Sequence, residues 1–208
     1  KIIFGDMGIN VPYGFLVPRD TVSIEHPMKP PYVIKPNGQG SSKDIFIVQT
    51  DDEPIKNIKN KDLMGEMVLI EKFCPGKELT VTVMNGKALG VTEIVPTSSW
   101  YDFDSKYTKG GSKHILPAII DKEVNDLCLT WAVLAHNALG CRGITRSDFK
   151  FNDDKQSNLS KSDSLVMLEL NTQPGMTPTS LVPEQADKIG ISFDKLCRWI
   201  VEDATWPR

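Results

Sequence analysis

One hairpin constrains the fold of this chain more than any other feature of its sequence. Residues 78–84 (ELTVTVM) alternate polar and apolar side chains, as a strand with two different faces does. Asn85-Gly86 follows, and this dipeptide favours the type I′ turn that joins antiparallel strands. Residues 87–95 then supply a second strand-like run. We therefore expect an antiparallel sheet built around this pair of strands.

The rest of the chain predicts further strands and a few helices. Residues 32–35 and 45–48 predict a second antiparallel hairpin. Residues 121–139 predict the longest helix, because apolar side chains recur there at helical spacing, Asp121 suits its N-cap and Gly140 suits the position after its end. The pattern also predicts strands at 67–71, 143–151 and 165–171, helices at 53–64, 183–189 and 193–202, a helix end running into a loop over 1–20, and loops at 97–113 and 152–164. Antiparallel strands with a few helices indicate the α+β class.

Composition excludes several classes of protein. Of the 208 residues, 40% are hydrophobic and 25% are charged, which is the balance of a globular protein rather than of a disordered or fibrous one. The net charge of −3 gives no reason to expect nucleic acid or a membrane as partner, and no apolar run is long enough to cross a bilayer. The four cysteines form no CxxC pair, so they predict buried thiols in a reducing compartment.

Two short motifs near the end of the chain carry the strongest chemical signal. Arg146 and Asp148 are two residues apart on one predicted strand, and Glu169 and Asn171 are two apart on the next. Residues two apart on a strand face the same side, so adjacent strands would bring a cation, two carboxylates and an amide together. Such oxygen ligands suit Mg²⁺ or Mn²⁺. A solvated strand face with a salt bridge explains the same spacing, and both interpretations stay open.

Several loops contain residues suited to binding phosphate or an oxyanion. The segment 38–42 (GQGSS) resembles a phosphate cradle of small residues, although it matches neither GxxxxGK[ST] nor GxGxxG. Lys35 precedes it and can reach phosphate oxygens as a point charge. Pro174-Gly175 follows the last predicted strand and can present N–H groups to an oxyanion. A flexible loop, an exposed lysine and a plain turn are the alternatives for these three features.

Further candidates lie between these motifs. Residues 71–74 join a strand to Pro75-Gly76, and their backbone can meet the edge of an adenine ring, while Glu78 can accept hydrogen bonds from a ribose. Lys106 and Tyr107 lie in the long loop 97–113, which can close over a ligand. Taken singly, none of these features distinguishes a binding site from ordinary strand ends and loops.

Taken in order, the motifs are specific. They are YVIKP with Lys35, GSS at 40–42, EKFCPGKELTV from Glu71, YDFDSKY with Lys106 and Tyr107, GCRGITRSDF with Arg146 and Asp148, and LELNTQPGMTPTSLVP at 168–183. Over about residues 8–205, this series resembles the D-alanine–D-alanine ligase family of the ATP-grasp superfamily. The resemblance implies an α+β, ATP-grasp fold of two lobes, 1–75 and 76–208, with the nucleotide between them.

The resemblance also implies a reaction and a role for each site residue. ATP would phosphorylate the carboxylate of one D-alanine, and the amine of a second would attack the acyl phosphate to give D-alanyl-D-alanine for peptidoglycan. Asp148, Glu169 and Asn171 would hold two Mg²⁺ or Mn²⁺ ions, and Arg146 and the Gly175 N–H would stabilise the oxyanion. Lys35, Glu71, Lys72, Phe73, Cys74, Glu78 and Lys106 would bind ATP, Ser41 and Tyr107 would organise the first D-alanine and the loop, and Ser180 and Leu181 would bind the second D-alanine.

Some features depart from the family pattern. Gln39 stands where the family usually has Glu, and Lys43 where it usually has an apolar residue. The family's N-terminal domain, with part of the first D-alanine site and one phosphate-binding lysine, is expected to be missing, so the chain alone is expected to bind ATP weakly and make no dipeptide. A D-alanine–D-lactate ligase, against which Tyr107 argues, and a truncated ATP/Mg-binding module without catalysis are the alternatives. The family implies a cytoplasmic enzyme, a homodimer at full length.

Overall fold

A computed structural model of the chain describes residues 1–22, 26–38, 45–52, 65–96, 111–154 and 156–204. The predictions for Ser41, Lys106 and Tyr107, for a helix at 53–64 and for most of the loop 97–113 lie outside these residues. The described strands are β1 (Gly14–Pro18), β2 (Tyr32–Pro36), β3 (Phe46–Val48), β4 (Met67–Lys72), β5 (Lys77–Met84), β6 (Lys87–Pro96), β7 (Ser112–Ile115), β8 (Ile144–Phe151) and β9 (Leu165–Asn171). The described helices are α1 (Ile2–Asp6), α2 (Arg19–Val22), α3 (Lys122–Ala138), α4 (Lys161–Ser164), α5 (Leu181–Lys188) and α6 (Phe193–Asp203).

These elements confirm the α+β class, because the described strands form two antiparallel sheets accompanied by helices. The chain divides into two compact units. The first unit contains Lys1–Val11, Pro75–Val95 and Lys113–Arg208, and the second contains Pro12–Cys74 and Pro96–Ser112. The division into lobes at residue 75 stays a prediction.

The sheet of the second unit has the strand order β1-β4-β2-β3. Tyr32 of β2 lies opposite Val48 of β3, so the predicted pairing of these two strands is confirmed. Tyr32 and Val48 are buried in a small apolar core that includes Ile34, Val68 and Ile70. This core covers one face of the sheet.

Strand β1 is a correction to the loop expected over residues 1–20. It pairs with β4 over its whole length, from Gly14 opposite Glu71 to Pro18 opposite Met67. Its ends are a glycine and a proline, which are typical of loops in sequence. The glycine is needed there because a Cβ on Gly14 would lie 2.5 Å from the Ile70 carbonyl oxygen. Gly14 thus permits a close strand contact and does not mark a turn.

The sheet of the first unit has the strand order β7-β6-β5-β8-β9. The hairpin predicted from Asn85-Gly86 is confirmed, since β5 and β6 are antiparallel and Met84 lies opposite Lys87. Asn85 has φ 51° and Gly86 has φ 69°, the two positive values that a type I′ turn requires. Strand β7 begins at Ser112, and α4 begins at Lys161, so each replaces the end of a predicted loop.

One face of this five-stranded sheet carries the main apolar core. Helix α3 confirms the helix predicted over 121–139, and its buried side chains join those of β5, β8 and β9 in one cluster: Leu79, Val81, Val83, Val124, Cys128, Ala132, Ala135, Phe149, Phe151, Leu165 and Met167. Gly140 has φ 62° just after the helix, the left-handed conformation that often ends a helix. The stripe of apolar residues on α3 is therefore core.

The cysteines follow the predicted burial only in part. Cys128 is buried in this core, and burial raises the pKa of its thiol to about 12, so the thiol stays protonated and unreactive. Cys74, Cys141 and Cys197 are only half-buried, so the expectation of burial is wrong for these three. All four are free thiols.

We expect Gly76→Ala to destabilise the first unit strongly. Gly76 has φ +102°, and a Cβ there would lie 2.1 Å from the Phe151 carbonyl oxygen. The left-handed backbone and the backbone clash together should lower the free energy of unfolding by about 3 kcal/mol. Gly86→Ala is the matched control, because Gly86 also has positive φ but open space around its Cβ position. It should cost about 1 kcal/mol. Urea denaturation measures both, and equal losses would contradict the role given to the Phe151 contact.

Within the part of the chain that the structure describes, none of the helices has the length and apolar character needed to span a membrane.

Candidate functional site

Much of the face of the five-stranded sheet opposite the main apolar core is polar, and the remainder is apolar where α5 and α6 pack on it. Thr80 and Thr82 of β5 lie opposite Asp148 and Arg146 of β8, respectively. Because side chains alternate along a strand, these four point away from the core that their neighbours fill. We call this surface, formed by Glu78, Thr80, Thr82, Arg146, Asp148, Lys150, Glu169 and Asn171, the polar face.

A β-bulge brings β9 into the polar face. Asn171 lies opposite Arg146 and Glu169 lies opposite Asp148, but the next pair is Met167 with Phe149. One extra residue of β9 is inserted at this point, so the side chains change faces there. Without it, Glu169 would point into the core with Met167. The bulge is therefore what joins the carboxylate of β9 to the charged residues of β8.

Asp148 is the centre of the hydrogen bonds on the polar face. It is buried, with 7% of its surface exposed. Its Oδ1 accepts hydrogen bonds from Thr80 Oγ1 at 2.7 Å and from Arg146 Nε at 2.9 Å. Its Oδ2 accepts from Arg146 Nη2 at 2.7 Å and from Asn171 Nδ2 at 3.1 Å. Both carboxylate oxygens are thus satisfied, and the guanidinium plane of Arg146 is fixed by two bonds.

The amide of Asn171 lies between two carboxylates, where the sequence predicts a cation. Its Nδ2 donates to Asp148 Oδ2 and also, at 3.3 Å, to Glu169 Oε1, so one donor lies between two carboxylates. Turning this amide would present its oxygen beside the two carboxylate oxygens, which gives three hard ligands for Mg²⁺ or Mn²⁺. Among the described residues no group of three or more His, Cys, Asp or Glu side chains is placed to hold a metal. An ion here would therefore complete its shell with water or substrate oxygens.

Glu78 lies at the other end of the polar face. It is opposite Lys150 in the register of β5 and β8, and Lys150 Nζ is 3.4 Å from its Oε2. Glu78 is half-buried, so part of its side chain faces solvent. This arrangement is compatible with the predicted acceptor for a ribose hydroxyl.

The loop after β9 brings Gly175 close to Ser180. A Cβ on Gly175 would lie 3.1 Å from Ser180 Oγ, and this oxygen also accepts the Thr177 N–H at 3.1 Å. Ser180 is the N-cap residue of α5, but its side chain makes no hydrogen bond that caps the helix. Three predicted site residues, Gly175, Ser180 and Leu181, are therefore together at the start of α5.

In the second unit, Lys35 and Glu71 form a close ion pair. Lys35 Nζ lies 2.6 Å from Glu71 Oε2, and Glu71 is buried with 3% of its surface exposed. The two residues lie on the adjacent strands β2 and β4. Lys35 can reach a phosphate only if it shares or leaves this contact.

Part of the backbone of residues 72–74 is already used within the second unit. The Lys72 N–H donates to the Tyr13 carbonyl at 2.9 Å, and the Phe73 N–H donates to the Pro31 carbonyl at 3.2 Å. The Cys74 thiol donates to the Lys72 carbonyl at 3.5 Å. An adenine edge would therefore meet other backbone atoms of this segment than these two N–H groups.

Sequence reasoning missed Thr80 as a member of the site. Its hydroxyl makes one of the shortest contacts to Asp148, and its side chain is fully buried. The available signal was the placement of Thr80 and Thr82 at alternate positions among the apolar residues of β5. A threonine suits any strand, so that signal does not by itself indicate a functional face.

Comparisons with known proteins agree on one family. The family model described as "D-ala D-ala ligase C-terminus" matches residues 10–202. A D-alanine–D-alanine ligase of Cereibacter sphaeroides is 46% identical over 208 residues, which is all of this chain and 65% of the relative. A D-alanine–D-alanine ligase of a Caulobacter species is 50% identical over 98% of this chain and 63% of the relative.

Solved structures of two related ligases share the fold. The D-alanine–D-alanine ligase of Bacillus anthracis complexed with ATP superposes with a TM-score of 0.73 at 26% identity, over 97% of this chain and 63% of that one. The VanG D-Ala:D-Ser ligase of Enterococcus faecalis has a TM-score of 0.77 at 29% identity, over 97% of this chain and 59% of that one. The fold is that of the ATP-grasp ligases.

The matches cover nearly all of this chain but only part of each curated relative. The chain spans about 65% of the length of the curated relatives that it matches. The family model, in contrast, covers the chain from residue 10 to residue 202. That range includes all the strands that the structure describes and, in whole or in large part, all but one of the described helices. The chain therefore belongs to the D-ala D-ala ligase C-terminus family.

Proposed function

We propose that this chain carries the ATP-binding, metal-binding and oxyanion-binding residues of a D-alanine–D-alanine ligase. The observation that supports this most is the hydrogen-bonded group of Arg146, Asp148, Glu169 and Asn171 on the polar face. The names of the curated relatives support D-alanine as substrate, and the related ligase complexed with ATP supports ATP as the phosphoryl donor.

The proposed reaction has two steps. A carboxylate oxygen of the first D-alanine bonds to the γ-phosphorus of ATP while the bond from that phosphorus to the departing ADP breaks. The amino group of a second D-alanine, having lost one proton, then attacks the acyl carbon and loses a second proton as the amide forms. Inorganic phosphate leaves with the oxygen that the first D-alanine supplied, and an amide bond remains. Negative charge develops first on the transferring phosphoryl group and then on the carbonyl oxygen under attack.

The chain's own residues would meet that charge in two ways. Asp148 holds Arg146 through two hydrogen bonds, and a guanidinium fixed in this way can stabilise a developing oxyanion without reorganising. The Gly175 N–H is the second proposed donor. Asp148, Glu169 and Asn171 would hold Mg²⁺ or Mn²⁺, two ions per site, and such ions supply charge neutralisation for the phosphate oxygens.

Other predicted site residues would bind the nucleotide and the two substrates. Lys35 would contact the nucleotide phosphates, residues 71–74 the adenine and Glu78 the ribose, while Ser180 and Leu181 would bind the carboxylate of the second D-alanine. Ser41, Lys106 and Tyr107 keep their proposed roles at the first substrate, the γ-phosphate and the loop. We also propose that the enzyme works in the cytoplasm as a homodimer, in the pathway to peptidoglycan.

A second candidate is a ligase that joins D-alanine to another D-configured nucleophile. The likeness to the VanG D-Ala:D-Ser ligase supports it. The identity of 45–50% to curated D-alanine–D-alanine ligases favours the first candidate. The two differ only in the second substrate, so competition between D-alanine, D-serine and D-lactate separates them.

We expect ADP release by the complete protein, as its gene encodes it, to depend on D-alanine. A coupled assay of ADP should show turnover with ATP, Mg²⁺ and D-alanine, and only background with L-alanine. The 208-residue chain spans about 65% of its curated relatives, and part of the first D-alanine site is expected to lie outside it. Assayed alone, the chain should therefore release little ADP, since positioning both substrates can lower the barrier by about 7–11 kcal/mol. ADP release by the complete protein that ignores D-alanine would overturn the proposed function.

A further inference from the structure

Gln185 is a buried polar residue that the reaction above leaves unexplained. It lies on α5 with 1% of its surface exposed. Its Oε1 accepts the Thr82 N–H at 2.8 Å, and its Nε2 donates to the Thr80 carbonyl at 3.1 Å and to Thr92 Oγ1 at 2.9 Å. One side chain therefore ties a helix to two adjacent strands.

The contact to Thr82 lies where the pairing of β5 with β6 is irregular. Val81 lies opposite Val91 and Val83 lies opposite Ala88, so the register of β5 and β6 shifts at Thr82. The Thr82 N–H donates to the side chain of Gln185, whose amide also bonds the carbonyl of Thr80 two residues earlier. The side-chain amide thus acts as a peptide group of a neighbouring strand would, and it does so at one position along β5.

The hydrogen bonds of Gln185 connect two proposed parts of the site, Asp148 and Ser180. Thr80 donates its hydroxyl to Asp148 at 2.7 Å, so the strand bound by Gln185 also orients the central carboxylate of the polar face. Helix α5 starts at Leu181, directly after Ser180. The path from Ser180 to Asp148 therefore passes through one helical turn, the Gln185 amide and the side chain of Thr80.

We propose that Gln185 is a positioning residue that sets where Ser180 and Leu181 lie relative to Asp148. This rests on the proposed function, in which Ser180 and Leu181 bind the carboxylate of the second D-alanine. Gln185 touches no substrate. It fixes the register of α5 along β5, and so the distance between the end of the second substrate and the reacting carbon.

Apolar packing alone cannot supply this register. Val182 and Ala186 of α5 are buried with Met84, Ile144 and Leu196, and this contact holds the helix against the sheet. Apolar contacts have no preferred direction, whereas hydrogen bonds to a backbone N–H and a carbonyl are directional. Val182 therefore holds α5 against the sheet, and Gln185 determines where α5 lies along β5.

The test compares three variants of the complete protein. Gln185→Met keeps the side-chain length and removes all three hydrogen bonds. Gln185→Glu keeps an acceptor for the Thr82 N–H, and it serves if the Met variant does not fold. Val182→Ala is the matched control, because it weakens the packing of the same helix and leaves the hydrogen bonds in place. Each variant is assayed for KM of D-alanine, KM of ATP and kcat, and hydrogen–deuterium exchange is followed in peptides that contain 177–188.

We expect Gln185→Met to raise KM for D-alanine roughly tenfold, with KM for ATP unchanged within about twofold, since misplaced binding groups weaken productive binding. Gln185→Glu should show a smaller rise. Val182→Ala should lower thermal stability and leave KM for D-alanine near the wild-type value. Exchange at 177–181 should accelerate in Gln185→Met more than in Val182→Ala.

The outcomes separate this inference from the proposed function. If Gln185→Met and Val182→Ala change KM for D-alanine equally, Gln185 only stabilises the fold and the inference is overturned. If wild-type protein shows no turnover with D-alanine, the proposed function fails. In that case hydrogen–deuterium exchange still tests whether Gln185 positions residues 180 and 181. Unchanged exchange at these residues in Gln185→Met would overturn the inference.

Discussion

Asp148→Asn should reduce the D-alanine-dependent ADP release of the complete protein by on the order of 1,000-fold. The substitution removes the charge that binds Arg146 through two hydrogen bonds, and it replaces one acceptor oxygen by an amide N–H₂ that cannot accept from a guanidinium. The same substitution removes one of the two carboxylates next to Asn171. Arg146 and the proposed metal ligands therefore lose their order together. The measurement is kcat/KM for D-alanine, at saturating ATP and Mg²⁺.

Two controls keep this prediction specific. Asp153→Asn removes an exposed carboxylate of the same unit and should leave kcat/KM unchanged. Thr80→Ser keeps a hydroxyl that can donate to Asp148 and should cost far less than Thr80→Val. Circular dichroism and thermal unfolding establish that each variant is folded. Near wild-type turnover by folded Asp148→Asn would remove Asp148 from the proposed mechanism.

Lys35→Met should lower the free energy of unfolding of the second unit by roughly 3 kcal/mol, because it removes the ion pair that Lys35 makes with the buried carboxylate of Glu71. Adding Glu71→Gln to that variant should restore most of the loss, since the second substitution removes the buried negative charge. Lys72→Met is the matched control. Lys72 is exposed on the same sheet, and its removal should change stability by less than about 0.5 kcal/mol.

Urea denaturation of the four proteins measures these differences. A loss in Lys35→Met that the second substitution does not relieve would show that the ion pair is not the cause. A loss no larger than that of Lys72→Met would show that Glu71 reaches solvent when Lys35 is gone. Either result would contradict the buried pair as a unit of the second sheet.

Local signals in the sequence were sufficient where one residue type admits few conformations. Asn85-Gly86 predicts a type I′ turn because both positions require positive φ, and that turn sets the pairing of β5 and β6. The apolar spacing and Gly140 predict α3 for similar reasons. Asp121 occupies the predicted N-cap position, but its carboxylate pairs with Lys161 rather than with the helix.

The alternation rule was insufficient at β9. Leu165, Met167, Glu169 and Asn171 all have the same parity, so a regular strand would place Glu169 on the core face. The bulge between Met167 and Glu169 reverses the face on which the following side chains lie. Spacing two apart correctly groups Glu169 with Asn171, but nothing in the local sequence predicts which face they share.

Buried polar contacts over long sequence separations were also beyond sequence reasoning. Gln185 bonds Thr82 across 103 positions, and Thr80 bonds Asp148 across 68. Glutamine in a short helix and threonine in a strand are ordinary surface choices. Only the packing of α5 on the polar face shows that both side chains are buried and paired.

The most direct test of the proposed ligase reaction follows one oxygen atom. The complete protein is given ATP, Mg²⁺ and D-alanine labelled with ¹⁸O in both carboxylate oxygens, and the phosphate and dipeptide are analysed by mass spectrometry. Attack by the carboxylate on the γ-phosphorus predicts D-alanyl-D-alanine and phosphate in equal amounts, with one ¹⁸O atom in each phosphate. Unlabelled phosphate, or ADP formed without dipeptide, would contradict the acyl-phosphate route and with it the role proposed for this site.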